Sequence, residues 1–236
     1  MKQQQGATLI VVLIILVIVT LLGTIAVKTG ILGLKIATNT QVNALLLENS
    51  DAALFNVENP NDVARQLALD GMFAYFNSAA NADDELVFCY RASESSFFSL
   101  NKASAITNNG ATTTKIGIDG FCAADQFATG RSAVLSQVYL TKSSTPATPF
   151  GSVPKGTSLG QSGVPMIANN IGATVISVLP SFAGATDTQI QGCFKKPSIK
   201  YDSSTETVSE CFDNLGIPYN MQHADYVVGG QPKLVS

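Results

Sequence analysis

The feature that most limits what this chain can fold into is the run Ala7–Val27, ATLIVVLIILVIVTLLGTIAV. It has 21 residues and no charge, and 15 of its residues are Leu, Ile or Val. As a helix rising about 1.5 Å per residue it is about 31 Å long, which matches the ~30 Å hydrocarbon core of a bilayer. At about −0.3 to −0.6 kcal/mol per aliphatic residue, those side chains favour insertion by on the order of 5 to 9 kcal/mol. That exceeds what Thr8, Thr20, Thr24 and Gly23 take back. The run is longer than the ~7–15-residue core of a cleavable secretory signal, and Leu21–Thr24 is a poor small-residue cleavage site. A soluble protein would have to surround it on every face.

After the run the pattern changes. No Pro occurs before Pro60, and Ile31, Leu34, Val42, Leu45, Leu46 and Ala53 fall near one stripe, with Lys35, Asn39, Asn43 and Glu48 largely off it. One helix of about fifty residues is predicted, apolar all round in its first half and amphipathic in its second. Gly23, Gly30 and Gly33 each weaken it by up to ~1 kcal/mol relative to Ala. They are either tolerated or mark a stretch that extends or melts when subunits pack.

The rest of the 236 residues reads as one soluble domain. Charged residues make up 13% of the chain, and between Lys2 and Glu48 only Lys28 and Lys35 carry charge. The net charge of −3 and the scattered Lys and Arg give no basic stripe of the kind nucleic-acid binding uses.

The head MKQQQG, a short leader with Lys2 that ends in Gly and is followed at once by the long uncharged helix, resembles the class III signal of type IV pilins and type II secretion pseudopilins. More narrowly, QQGATLIVVLIILVIVTLLG and the later NALLLENSDAALF resemble the amino-terminal region of PilX-type minor pilins. The resemblance covers about the first 55 residues. It implies that a prepilin peptidase cuts after Gly6 and methylates Ala7, while the helix is kept as an anchor and later as a filament stem. The layout it implies is a cleaved leader at 1–6, a membrane and filament-core helix at 7–27, an amphipathic continuation at 28–56 and a periplasmic α+β domain at 57–236. The implied partners are the major pilin, the V-, W- and U-type minor pilins and a PilY-type tip adhesin. The implied location is the bacterial inner membrane and then the extracellular pilus, in support of twitching motility, adhesion and DNA uptake.

One position departs from that family. The fifth mature residue, ordinarily Glu, is Val11 here. A carboxylate in the bilayer costs roughly 2.5 to 3.5 kcal/mol unless it finds a cation, and in pilins that cation is the amino terminus of the subunit ahead. A subunit without the carboxylate needs no subunit ahead of it, which is the behaviour expected at or near the tip.

Lys2 on one side and Lys28 and Lys35 on the other leave orientation open. Cys89, Cys122, Cys193 and Cys211 all lie beyond the apolar helix, with no CxxC or CxxH spacing to suggest zinc. An even number at wide spacing favours disulfides in an oxidising compartment. Three pairings are possible. Proximity favours Cys89 with Cys122 and Cys193 with Cys211, against the alternative of four free buried thiols.

In the soluble part, DVARQLALDGMFAYF reads as a second helix or helical pair. LVFCYR, SFFSL, SAVLSQVYLT, ATVISVLP, TQIQGCF and ETVSECF read as strands, giving an α+β fold with a long helix on an antiparallel sheet. TKSSTPATPFGSVPKGTSLGQSG reads as a long exposed loop. Catalytic signals are sparse. His223 is the sole histidine, so any Ser/His/Asp arrangement must use it, and no GxSxG accompanies it. Asp83, Asp84 and Glu85 lack EF-hand spacing and read as a solvated acidic turn. The glycines near Gly160 and Gly229 have no phosphate-loop context. No cofactor or metal site and no enzymatic activity is expected. The alternatives are a K-type pseudopilin, disfavoured because those chains are usually larger with an inserted helical domain, and a single-pass membrane enzyme or binding protein that keeps its whole amino end.

Overall fold

Helix α1 runs from Gln5 to Val57, 53 residues in one element, as the absence of Pro and the uninterrupted apolar pattern require. The computed structural model describes residues 5–57, 73–94, 99–108, 110–113, 116–117, 119–130, 133–143, 168–182 and 184–229. They fall into two units, residues 1–44 and residues 45–236. In the first, every residue from Leu9 to Gln41 is exposed, including Ile31 and Leu34 of the anticipated stripe. In the second, Leu46 and Ala53 of that stripe are fully buried.

The second unit is built on one antiparallel sheet. Its strands are β1 (Glu85–Tyr90), β2 (Ser104–Ile106), β3 (Thr112–Thr113), β4 (Leu135–Lys142), β5 (Ala168–Val178) and β6 (Tyr219–Gly229). They lie in the order β3-β2-β1-β4-β5-β6. Both faces of the central strands are covered, which is why ELVFCY is buried at all six positions and shows no polar alternation. Side chains of alternate residues go to opposite faces. Leu86, Phe88, Val138, Leu140, Ala173 and Val175 pack with Ala53 and Val57 of α1. Val87, Leu135, Tyr139, Ile176 and Val178 pack on the other face against Phe121, Phe194 and Phe212.

That second face is closed by two short helices, α2 (Asp187–Phe194) and α3 (Val208–Leu215). TQIQGCF and ETVSECF are therefore helical, not strands. The reason lies at the start of each helix. Thr186 and Gln189 form a reciprocal capping box, as do Thr207 and Glu210, and each box satisfies two of the donors a helix start leaves open. Gly216, at φ 65°, ends α3 in the left-handed conformation that glycine adopts without Cβ strain. Strands β2, β3 and β6 were not among the expected strands. Of the second expected helix, Phe73–Asn77 forms a 3-10 turn and residues 58–72 lie outside the described residues. Of SFFSL, residues 96–98 lie outside them too, and Leu100 opens a 3-10 turn. The expected long loop is described only to Ser143, with Thr141 and Lys142 in β4.

Cys89 is bonded to Cys122 and Cys193 to Cys211, with sequence separations of 33 and 18. The second bond ties α2 to α3, whose Phe194 and Phe212 rings meet edge-on at 5.1 Å. On a chain-entropy estimate, a loop of that length contributes about 3 kcal/mol by restricting the unfolded chain. Replacing both Cys193 and Cys211 by Ala should therefore lower unfolding free energy by about 3 kcal/mol. Urea titration of both proteins under oxidising conditions checks this, and equal midpoints would refute it.

Candidate functional site

The chemistry of α1 is set by what it lacks. From Leu9 to Val27 each large aliphatic side chain is half or more exposed, from 50% at Val17 to 70% at Leu9. Monomeric soluble proteins rarely display apolar surface of that extent. The helix is long and apolar enough to cross a membrane. Several of its hydroxyls are satisfied locally. The hydroxyls of Thr20 and Thr24 donate to the carbonyls of Val17 and Leu21 at 2.9 and 2.8 Å. Thr29 donates to Ile25 at 2.9 Å. Such bonds remove most of the cost of placing a hydroxyl in hydrocarbon. Among the described residues a Cβ added at Gly23, Gly30 or Gly33 would meet nothing within 4 Å, so none of them requires glycine there. Gly6 and Ala7 lie in the first turns of α1, and its first turn carries no acid. Val11 is exposed among aliphatic neighbours.

Where α1 becomes part of the domain, between Leu45 and Val57, small residues bring it close to the sheet. Ser50 Oγ donates to Ser177 Oγ at 2.8 Å, and Ser177 in turn meets Ser136 at 2.7 Å. Asn56 Nδ2 donates to Tyr90 Oη at 3.2 Å. These contacts fix which face of this half turns inward, because a rotation of the helix would strand buried hydroxyls.

The opposite face of the sheet is joined to its cover by Gln137. Its Oε1 accepts from Cys122 N at 2.9 Å, and its Nε2 donates to Phe194 O at 2.7 Å. One buried side chain thus links β4, the Cys89–Cys122 bridge and the end of α2. Nothing in the sequence marks Gln137 except its place in the largely apolar run LSQVYL.

The acidic segment is corrected by the structure. Asp83 is exposed, but Asp84 is 5% exposed and Glu85 fully buried. Asp84 Oδ2 accepts from Tyr75 Oη at 2.7 Å. Glu85 accepts from Ser198 N at 2.8 Å, Ile199 N at 3.1 Å and Tyr201 Oη at 2.9 Å. Burial pushes the Glu85 carboxyl above its usual range, and these donors pull it part of the way back. Burial and the nearby Glu85 carboxylate hold the Tyr201 hydroxyl protonated. Charge alone points Glu85 to a turn, whereas its place as the first residue of the apolar strand β1 buries it.

His223 lies on β6, with Nδ1 2.8 Å from Thr174 Oγ1 and Nε2 3.4 Å from Asp225 Oδ1. The hydroxyl belongs to a buried threonine that needs a partner, while half of each of the His223 and Asp225 side chains is exposed, 53% and 49%. Satisfaction of Thr174 accounts for the arrangement. Among the described residues no three His, Cys, Asp or Glu side chains converge as metal ligands would. Comparison with protein-family models, with curated proteins and with solved structures finds no match to this chain.

Proposed function

We propose that the chain is a minor pilin of the PilX type, held in the inner membrane by α1, processed between Gly6 and Ala7, and assembled through the same helix with other pilins to prime a type IV pilus. The observation that carries this reading is the division of labour along α1. From Leu9 to Val27 it offers aliphatic surface, with Thr20 and Thr24 bonded within the helix, while Leu45–Val57 is built into a disulfide-bonded α+β domain. A helix used only as an anchor has no need to continue into the core of the domain. One that must carry the domain with it when it leaves the bilayer does. Val11 at the usual Glu position supports a place at or near the tip, with the V-, W- and U-type minor pilins and a PilY-type adhesin as neighbours.

Mass spectrometry of the mature chain tests the reading. The expected amino terminus is N-methyl-Ala7, and Gly6→Leu is expected to leave the leader in place. Mature protein that still begins at Met1, or normal cleavage of the Gly6→Leu variant, would overturn the assignment.

A further inference from the structure

One cross-strand row on the α1 face of the sheet is polar. Tyr90, Ser136, Ser177 and Asn220 stand opposite one another across β1, β4, β5 and β6, so their side chains share a face. The helix crosses the strands along this row. Ser50 meets Ser177 on β5 and Asn56 meets Tyr90 on β1. The helix from Ser50 to Asn56 advances about 9 Å, which is two strand spacings of about 4.8 Å. Followed back from Ser50, α1 therefore heads toward β6. Helical side chains lean toward the N-terminus, which sets Asn49 on the β6 side of Ser50, toward Asn220. The bond from Asn49 Nδ2 to Leu45 O, at 2.8 Å, has that lean.

Donors and acceptors in this seam do not balance. Ser50, Ser136 and Ser177 are fully buried and bring three hydroxyl protons. The contacts of Ser50 with Ser177 and of Ser177 with Ser136 use two of them, which leaves one donor. Asn49 is 4% exposed. Its Oδ1 and that of Asn220 are buried and have no hydrogen-bond partner among the described residues. Two acceptors cannot pair with each other, and each one orphaned in an otherwise apolar seam opposes folding. A buried water ordinarily makes about three hydrogen bonds to such groups. We infer that the seam between α1, β5 and β6 is a binding site for one buried water, which donates to Asn49 Oδ1 and Asn220 Oδ1 and accepts the remaining serine proton. That molecule satisfies every group the count leaves over. The inference does not rest on processing at Gly6.

The test uses the full chain in detergent. A crystal structure at a resolution that shows ordered water is expected to place a density peak about 2.7–3.0 Å from both Oδ1 atoms. Urea titration supplies an independent readout. Leu has nearly the shape of Asn, and in Asn49→Leu the carbonyl of Leu45 keeps its helical bond from the backbone N–H of residue 49. With a bound water, Asn49→Leu strands Asn220 and the spare hydroxyl, so the folded-to-unfolded ratio should fall at least about fivefold. With a dry Oδ1, the same change removes an orphaned acceptor and the ratio should rise. Asn49→Leu combined with Asn220→Leu should lose less than the product of the two single losses, because both act on one water. No density between the two amides, an Asn49→Leu chain at least as stable as the parent, or a double loss equal to that product would each overturn the inference.

Discussion

Gly120→Ala should leave the domain unable to reach its native state. A Cβ at this position would lie within 3.0 Å of the Val87 carbonyl oxygen, Ser104 N and Ala103 C, all of them backbone atoms of two paired strands or their approach. A flexible side chain can step aside, but a strand pair can do so only by breaking its ladder. Overpacking a core by one methyl typically costs about 1–3 kcal/mol when neighbours can shift. Here they cannot, so the effect should exceed that range. It also reaches the covalent frame, because Gly120 N donates to Ser104 Oγ at 3.0 Å and the same segment then delivers Cys122 to Cys89. The expected result is a variant with a free thiol pair at these cysteines and loss of cooperative urea unfolding. Gly130→Ala serves as a control, since among the described residues a Cβ there meets nothing within 4 Å. A Gly120→Ala protein with the parental midpoint and both bridges closed would show that the crossing is looser than drawn.

How much of this was legible from residues alone differs from element to element. Helix α1 was legible because its signal is long and its composition extreme. The existence of β1, β4 and β5 was legible from β-rich runs between Gly, Ser and Pro clusters, and the layering of a helix on an antiparallel sheet follows from them. The helices α2 and α3 were missed because TQIQGCF and ETVSECF, taken by themselves, look β-rich. The deciding information was Thr186 with Gln189 and Thr207 with Glu210, a T-x-x-Q and a T-x-x-E at the helix starts. Strand β6 was missed for the converse reason. Its alternation of Met221, His223 and Asp225 with Gln222 and Ala224 carries little hydrophobic contrast, because as an edge strand it buries little on one face. Gln137 and Glu85 were hidden because a buried polar residue is recognisable only by its partners, and those lie 57 and more than a hundred residues away.

Glu85→Ala is the second substitution with a large expected effect. It would leave Ser198 N, Ile199 N and Tyr201 Oη facing a void, and an orphaned buried donor costs about 1–3 kcal/mol. With relaxation and water entry, a net loss of about 3 kcal/mol is expected in urea titrations. Glu85→Gln keeps one acceptor oxygen but turns an amide N–H₂ toward a donor, so it should lose less than Ala does. The pH dependence separates the carboxylate from its shape. Burial raises the folded-state pKa of Glu85 above its unfolded value of 4.5, so between those two values the folded chain holds more protons than the unfolded one. The stability this linkage contributes is therefore fully present below pH 4.5 and is lost as pH rises through the folded pKa. Gln at this position does not titrate. The stability difference between the parent and Glu85→Gln should thus be largest in acid and shrink as pH rises, then level off. A difference that grew with pH would mean that the hydrogen bonds from Ser198, Ile199 and Tyr201 outweigh desolvation, and that Glu85 favours the fold as an anion.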